Sequence, residues 1–322
     1  MKNFLKIRFY QKKIHKRSII LLVWILSLAS TQNTWACDIC GCGVGSYYFG
    51  VMPQYHKHFM GLRYRSMSFE SHLNSQLLRT KEYFHTTELW GRFYPTSKLQ
   101  IIGFVPYSFN NQTDINNQSK KMQGLNDLVL MANYNILNAS TIQDTIVRKF
   151  KHSLWIGGGV KLPTGKYNYE EQDAGQVANP NFQLGTGSVD VLVNMFYNFR
   201  YKNWGFNQDI AYKINTNNAK NYRFGNKISG NSNIFYIKKI SKKSSLMPYA
   251  GIYFEQSALD TRNNEKIKET GGYLLASNAG MDIYWKQKLN IGINYQMPLS
   301  QNLGNGEIRA NNRVVLQASW LF

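Results

Sequence analysis

The last ten residues, Arg313 to Phe322 (RVVLQASWLF), constrain the fold more than any other stretch. Val314, Leu316, Ala318, Trp320 and Phe322 fall on one side of an extended chain. Arg313, Gln317 and Ser319 fall on the other, with Val315 and Leu321 mixed among them. A period of two is the strand period. In water, a terminal strand with Trp320 and Phe322 on one face would be an apolar edge prone to aggregation. The same strand is stable when both its edges are paired and its apolar face meets lipid, as the closing strand of a membrane barrel.

The rhythm recurs upstream. In 203–216, Trp204, Phe206, Ile210, Tyr212 and Ile214 oppose Asn207, Asp209 and Lys213. In 288–299, Leu289, Ile291, Ile293, Tyr295 and Met297 oppose Asn290, Asn294 and Gln296. In 122–137, Leu128, Leu130, Ala132, Tyr134 and Ile136 oppose Asp127, Asn133 and Asn135. The pattern predicts strands at 59–72, 81–95, 98–111, 122–137, 151–163, 184–200, 203–216, 223–240, 244–258, 269–286, 288–299 and 309–322. Roughly 9–11 residues cross a bilayer as a strand, and longer strands project beyond it. A soluble sandwich also alternates, but does not need strands this long or aromatics at the ends of its exposed face.

Short turns (Pro95-Thr96-Ser97, Tyr201-Lys202, Ser241-Lys242-Lys243, Lys286-Gln287-Lys288) alternate with long polar loops near 73–80, 111–121, 164–183, 217–222, 259–268 and 300–308. The one exception lies near 138–150. That asymmetry is the barrel pattern of periplasmic turns and outer loops. The predicted class is all-β: a transmembrane antiparallel up-and-down β-barrel of about twelve strands over 59–322. An even strand number puts both chain ends on the periplasmic side. A mean hydropathy of -0.39 is compatible with this, because alternating lipid-facing and water-facing residues average to a hydrophilic chain.

Residues 1–36 read as a signal peptide. A basic segment precedes a mostly apolar run, Ser18 to Ala29, too short to span, and a small residue, Ala36, precedes Cys37. No later segment reaches ~18 consecutive apolar residues, so no helical anchor is expected. The leader also inflates the formal charge of +20. Its seven basic residues, removed from 38, leave 31 against 18 acids, a net of +13. These bases are scattered along strands and turns, with no cluster on one predicted helix. The pattern therefore argues against nucleic acid and for anionic headgroups or an anion-friendly lumen.

All three cysteines open a segment at 37–58 that is expected to be periplasmic or plug-like: Cys37-Asp38-Ile39-Cys40-Gly41-Cys42-Gly43. Three readings fit: a disulfide with one leftover thiol, lipidation of Cys37, or a soft-metal site. In the last, Cys37, Cys40 and Cys42 offer three thiolates within one turn of chain. Thiolates favour Cu(I) or Zn. His56 and His58, with Met52 and Met60, stand close enough in sequence to complete the shell.

The water-facing rows hold Arg63, Arg65, Glu88, Arg92, Asp127, Lys161, Asp190, Asp209, Lys213 and Asp282. At mid-bilayer on the lipid face each Arg or Lys would cost about 2–4 kcal/mol. These residues are therefore expected inside, as pore lining or as ion pairs filling a narrow barrel. Gly157-Gly158-Gly159 predicts a bend or close approach within a strand, since no phosphate-binding Lys-Ser/Thr pair follows. HExxH, P-loop, paired CxxC and GxSxG motifs are absent, so no enzyme is expected. A Ser–His pair on the outer wall, using His72, His85 or His152, is the competing catalytic reading.

The middle of the chain resembles a known family. Gly124-Leu125-Asn126-Asp127, Gly159-Val160-Lys161-Leu162-Pro163-Thr164-Gly165 and Leu184-Gly185-Thr186-Gly187-Ser188 are similar to the outer-membrane "transporter" family named after the meta-pathway of phenol degradation. The likeness covers most of 59–322. It implies a channel for a small, often apolar, solute. The CDICGCG start departs from that family in general and resembles a Bacteroidetes subgroup sometimes encoded beside metal-handling genes. The terminus with Trp320 and Phe322 resembles the strand that the outer-membrane assembly machinery reads. The expected partners are thus outer-membrane lipid, that machinery and a small solute. Soft-metal capture by 37–60 and a non-conducting structural barrel are the alternatives to a channel.

Overall fold

The computed structural model describes residues 57–138, 150–168 and 182–322. The expected leader (1–36), Cys37, Cys40, Cys42 and His56 lie outside the described residues. Twelve long strands build the wall. The first six are β1 (Phe59–Ser71), β2 (Thr80–Thr96), β3 (Leu99–Asp114), β4 (Leu128–Asn138), β5 (Phe150–Leu162) and β6 (Asp190–Tyr201). The second six are β7 (Trp204–Ile214), β8 (Lys227–Tyr236), β9 (Ser245–Ser257), β10 (Gly272–Trp285), β11 (Leu289–Leu303) and β12 (Arg313–Leu321). Each pairs antiparallel with its neighbours in sequence. β12 also pairs back onto β1, from Phe59 opposite Leu321 to Ser66 opposite Val314. The 12-stranded sheet is therefore a closed cylinder without a free edge.

Several sequence boundaries are corrected. The expected strand 122–137 is two pieces. Ser119–Leu125 pairs with the far half of β3, and β4 pairs with the near half. The break falls at Asn126-Asp127, where the Asp127 carboxylate turns inward to meet Lys161. The expected strand 184–200 begins only at Asp190, because the preceding residues leave the wall and are buried. The stretch 223–240 keeps only Lys227–Tyr236 as wall, and 309–322 is divided into Ile308–Ala310 and β12.

The wall is apolar outside and polar inside. A middle band of Leu62, Leu89, Val105, Leu130, Val193, Ile252, Ile293 and Leu316 is exposed on the outer face. It is flanked by two aromatic belts. Phe93, Tyr201, Trp204, Trp285, Trp320 and Phe322 stand near the end that carries Phe59 and Leu321, called here the terminal end. Tyr83, Phe109, Tyr212 and Tyr273 stand toward the opposite, loop end. An apolar band bounded by aromatics is the solvent-facing surface of a protein whose solvent is a bilayer.

Glycines let the inner face knit. Asn133 of β4 and Asn194 of β6 are opposite the same residue of β5, Gly157. The Asn194 Nδ2 donates to Asn133 Oδ1 at 2.5 Å across it, and a Cβ on Gly157 would collide with Asn133. Gly251 of β9 does the same for Asn278 Nδ2, which donates to Asn233 Oδ1 at 2.7 Å. Gly292 of β11 clears the path from Gln317 Nε2 to Asp282 Oδ1, 3.0 Å. Replacing Gly251 by leucine is expected to push Asn233 and Asn278 apart. The overpacking should cost roughly 1–3 kcal/mol, measured as a lower urea midpoint in vesicles. An unshifted midpoint would show that the bridge contributes nothing.

Candidate functional site: the barrel lumen

Because alternate residues of every strand face inward, the lumen receives what the apolar face rejects. The described buried charged residues comprise six bases and eight acids, so the interior is close to neutral although the chain is strongly basic. Of the ten charged residues expected inside, Arg63, Glu88, Arg92, Asp127, Lys161, Asp190, Asp209, Lys213 and Asp282 are buried, and Arg65 is half-buried. The structure gathers six of them into two clusters and leaves the other four apart.

One cluster sits on β1 and β2. Arg63 Nε donates to Glu88 Oε1 at 2.8 Å, and Arg65 Nη2 stands 3.5 Å from Oε2. The Arg63 guanidinium also lies 4.6 Å above the centre of the Trp90 ring and 5.5 Å from that of Phe104. The opposite charge offsets the cost of removing each ion from water, and the ring faces add a cation–π attraction.

The second cluster joins the three segments that carried the family resemblance. Lys161 Nζ stands 2.7 Å from Asp127 Oδ2 and 2.8 Å from Asp190 Oδ2, and all three side chains are fully buried. It also donates to Thr186 Oγ1 and to the Ser188 carbonyl. Asp127 in turn accepts the backbone N–H of Gly165 at 3.0 Å and of Thr186 at 2.9 Å. Asp190 accepts the Ser188 hydroxyl and the Thr216 N–H. These N–H donors compensate the second carboxylate, which one lysine alone leaves unneutralised. Gly165 and Gly185 pack backbone to backbone, where a Cβ on either would collide with the other segment. The network therefore clamps both ends of the β5–β6 loop onto the wall. Beyond the clamp Phe182 is buried against Phe84, with ring centres 5.8 Å apart, in an aromatic cluster at the loop end that includes Phe69 and Tyr253.

Between that cluster and the aromatic cluster of Phe59, Trp90, Trp155 and Phe196 near the terminal end, carboxamides form two hydrogen-bonded networks. Asn231 Nδ2 donates to both oxygens of Asp209, at 3.0 and 3.1 Å. Asn278 reaches Asn231 and Asn233, and Asn294 donates to Asn278. Gln100, Asn133 and Asn194 form the second network. Arg92 stays near the terminal end, where it donates to the Lys57 carbonyl and lies over Phe59 and Tyr94. Lys213 is opposite Lys227, whose Nζ is 3.2 Å from Glu255 Oε2.

Four further charged groups were not among the expected lumen residues, although the alternation had put Arg313 on the polar side of its strand. Arg313 Nη2 stands 3.0 Å from Glu255, closing a Lys227–Glu255–Arg313 triad, and Glu82 accepts from Ser71, Thr80 and Gln112. They lie near strand ends, where the alternation fades into loops. For the other three the only usable sequence signal was their charge.

The expected metal and surface groups fare differently. His58 precedes β1. Its Nδ1 accepts the Tyr94 N–H at 3.1 Å, and its ring packs on Phe93 and Phe322. Met60 does not join it: the residue after inward Phe59 must point outward, and Met60 is exposed on the lipid face. Among the described residues no group of three or more His, Cys, Asp or Glu is placed to hold a metal. His85 bonds the Tyr64 hydroxyl at 2.8 Å on the outer wall, where the catalytic reading needed a serine. Trp320 and Phe322 face outward as the alternation required.

The cylinder is similar over 91% of this chain and 99% of the other to the crystal structure of an outer membrane channel from Pseudomonas putida F1, with a TM-score of 0.59 and 12% identity. The chain has the fold of an outer-membrane β-barrel. It is also similar to the β domain of the Bordetella autotransporter BrkA, over 83% of this chain and 100% of that one, with a TM-score of 0.51 and 12% identity. No family model matches the chain, and no curated protein matches it. A channel and an autotransporter β domain share this barrel, so the cylinder by itself does not choose between activities.

Proposed function

We propose that this protein is a channel of the bacterial outer membrane that passes a small solute, with both chain ends on the periplasmic side. The observation that carries the reading is the clamped β5–β6 loop, which places Phe182 and the buried run 182–186 inside a closed, polar-lined cylinder. A barrel serving only as structure has no need of a loop fastened within its lumen. Selection would follow from the width left beside that loop and from the lining: ion pairs at Glu88 and Lys161, then the carboxamide networks. Trp320 and Phe322 would serve barrel assembly.

Planar-bilayer recording tests this. Heat-modifiable, correctly folded protein is expected to give discrete conductance steps. A folded preparation that stays electrically silent and passes no small solute into vesicles would make it a non-conducting barrel.

The CxxCxC spacing supports a second role, soft-metal capture by Cys37, Cys40 and Cys42 with His56 and His58, in keeping with the resemblance of the CDICGCG start to the metal-associated subgroup. Cu(I) or Zn titrated into the mature protein should then bind tighter than to its triple Cys→Ser form. Equal binding removes that role and leaves the channel untouched.

A further inference from the structure

The two rims of the barrel differ in charge. At the loop end acids and bases mix: Glu70 pairs with Arg79 at 2.5 Å, and Asp114, Glu265, Glu269 and Glu307 stand among lysines and arginines. At the terminal end the described turns carry no acid at all. The connection 237–244 reads IKKISKKS, with Lys238, Lys239, Lys242 and Lys243 exposed. Lys98, Lys202, Lys286 and Lys288 are exposed in the other three described turns. None of these eight takes part in an ion pair among the described residues. Lys202 instead lies over the Tyr201 ring, 5.3 Å from its centre.

Their depth identifies the counter-charge. The lysines sit immediately beyond the outer aromatic belt of Tyr201, Trp204, Trp285 and Trp320, all exposed on the lipid side. Aromatics of this kind settle at headgroup level, so the ammonium groups just past them stand among the phosphates. The lumen is not their partner, since its buried charges are nearly balanced. Eight like charges around one rim repel each other unless an anionic surface meets them, and that attraction acts within about 8 Å at physiological salt.

We infer that the terminal rim is a docking surface for anionic phospholipid headgroups, of the phosphatidylglycerol type, which holds this end of the barrel in a phospholipid leaflet. The surface is independent of any solute passing through the lumen.

Tryptophan quenching in vesicles tests the inference, because Trp204, Trp285 and Trp320 report on lipid at this rim. Full-length mature protein is reconstituted into phosphatidylcholine mixed with phosphatidylglycerol, with brominated chains on one lipid or the other. Both leaflets share one composition, so the direction of insertion does not matter. Brominated phosphatidylglycerol is expected to quench as if enriched roughly fivefold over its bulk fraction at low salt, with the enrichment falling toward unity at about 0.5 M salt. The quadruple variant K238Q/K239Q/K242Q/K243Q should lose most of the enrichment while keeping its heat-modifiable band and its conductance. K286Q/K288Q gives a second reading if the quadruple variant fails to fold. Equal quenching by the two lipids in the wild type overturns the inference. So does enrichment that persists in a folded variant, or a preference for lipopolysaccharide over phosphatidylglycerol when both are offered.

Discussion

Lys161→Met is expected to cost about 3–5 kcal/mol of stability, because it leaves Asp127 and Asp190 buried without the cation that faces both. Methionine keeps the length of the side chain, so the loss reports charge rather than a cavity. The same substitution removes the donors to Thr186 Oγ1 and the Ser188 carbonyl, and so loosens the second half of the loop clamp. Two readouts follow. The urea midpoint in vesicles should fall, and conductance should become larger and noisier as the stretch around Phe182 is released. The double variant Lys161→Met/Asp190→Asn leaves one carboxylate in place of two and should recover part of the stability. A single variant as stable as wild type would show that the cluster is hydrated rather than sealed, and the clamp would no longer explain the inward loop.

Leu130→Arg is expected to cost about 2–4 kcal/mol, the penalty for an arginine on the lipid face near mid-bilayer. Leu130 is 53% exposed, lies between Gly103 and Val160 in the sheet, and belongs to the aliphatic band between the two aromatic belts. Ile240→Arg is the matched control. Ile240 is 62% exposed, yet it sits in a terminal turn, where the penalty falls to about 0–1 kcal/mol. The difference separates depth from exposure. If both variants lose the same stability, the band between the belts is not the hydrocarbon-facing one, and the membrane placement fails with it.

The lumen was legible where the rhythm was strict. Arg63 and Lys161 each sit between two outward apolar residues, Leu62 and Tyr64 or Val160 and Leu162, so their inward face could be read from their immediate neighbours. Arg313, Lys227 and Glu255 could not be joined that way. Their triad spans three strands that do not all touch, and it exists only at the observed register and closure. The inward course of 182–188 was hidden for a related reason. The run FQLGTGS continues an apolar-to-polar pattern that a strand would also show. Asp127, which accepts the N–H of Thr186 from 59 positions away, and Lys161, which donates to Thr186 Oγ1 and the Ser188 carbonyl, hold it off the wall.

By itself the sequence determined that this chain alternates, in strands long enough to cross a bilayer, and that its charged rows had to face away from oil. That is local information, because the period of two and the cost of an ion in hydrocarbon act residue by residue. Tertiary structure alone decided which charges meet and which glycines become crossings for asparagine pairs. It alone set residues 182–188 inside the cylinder. Those contacts depend on the stagger with which twelve strands close upon themselves. A shift of one residue in any pairing turns every side chain beyond it to the other face.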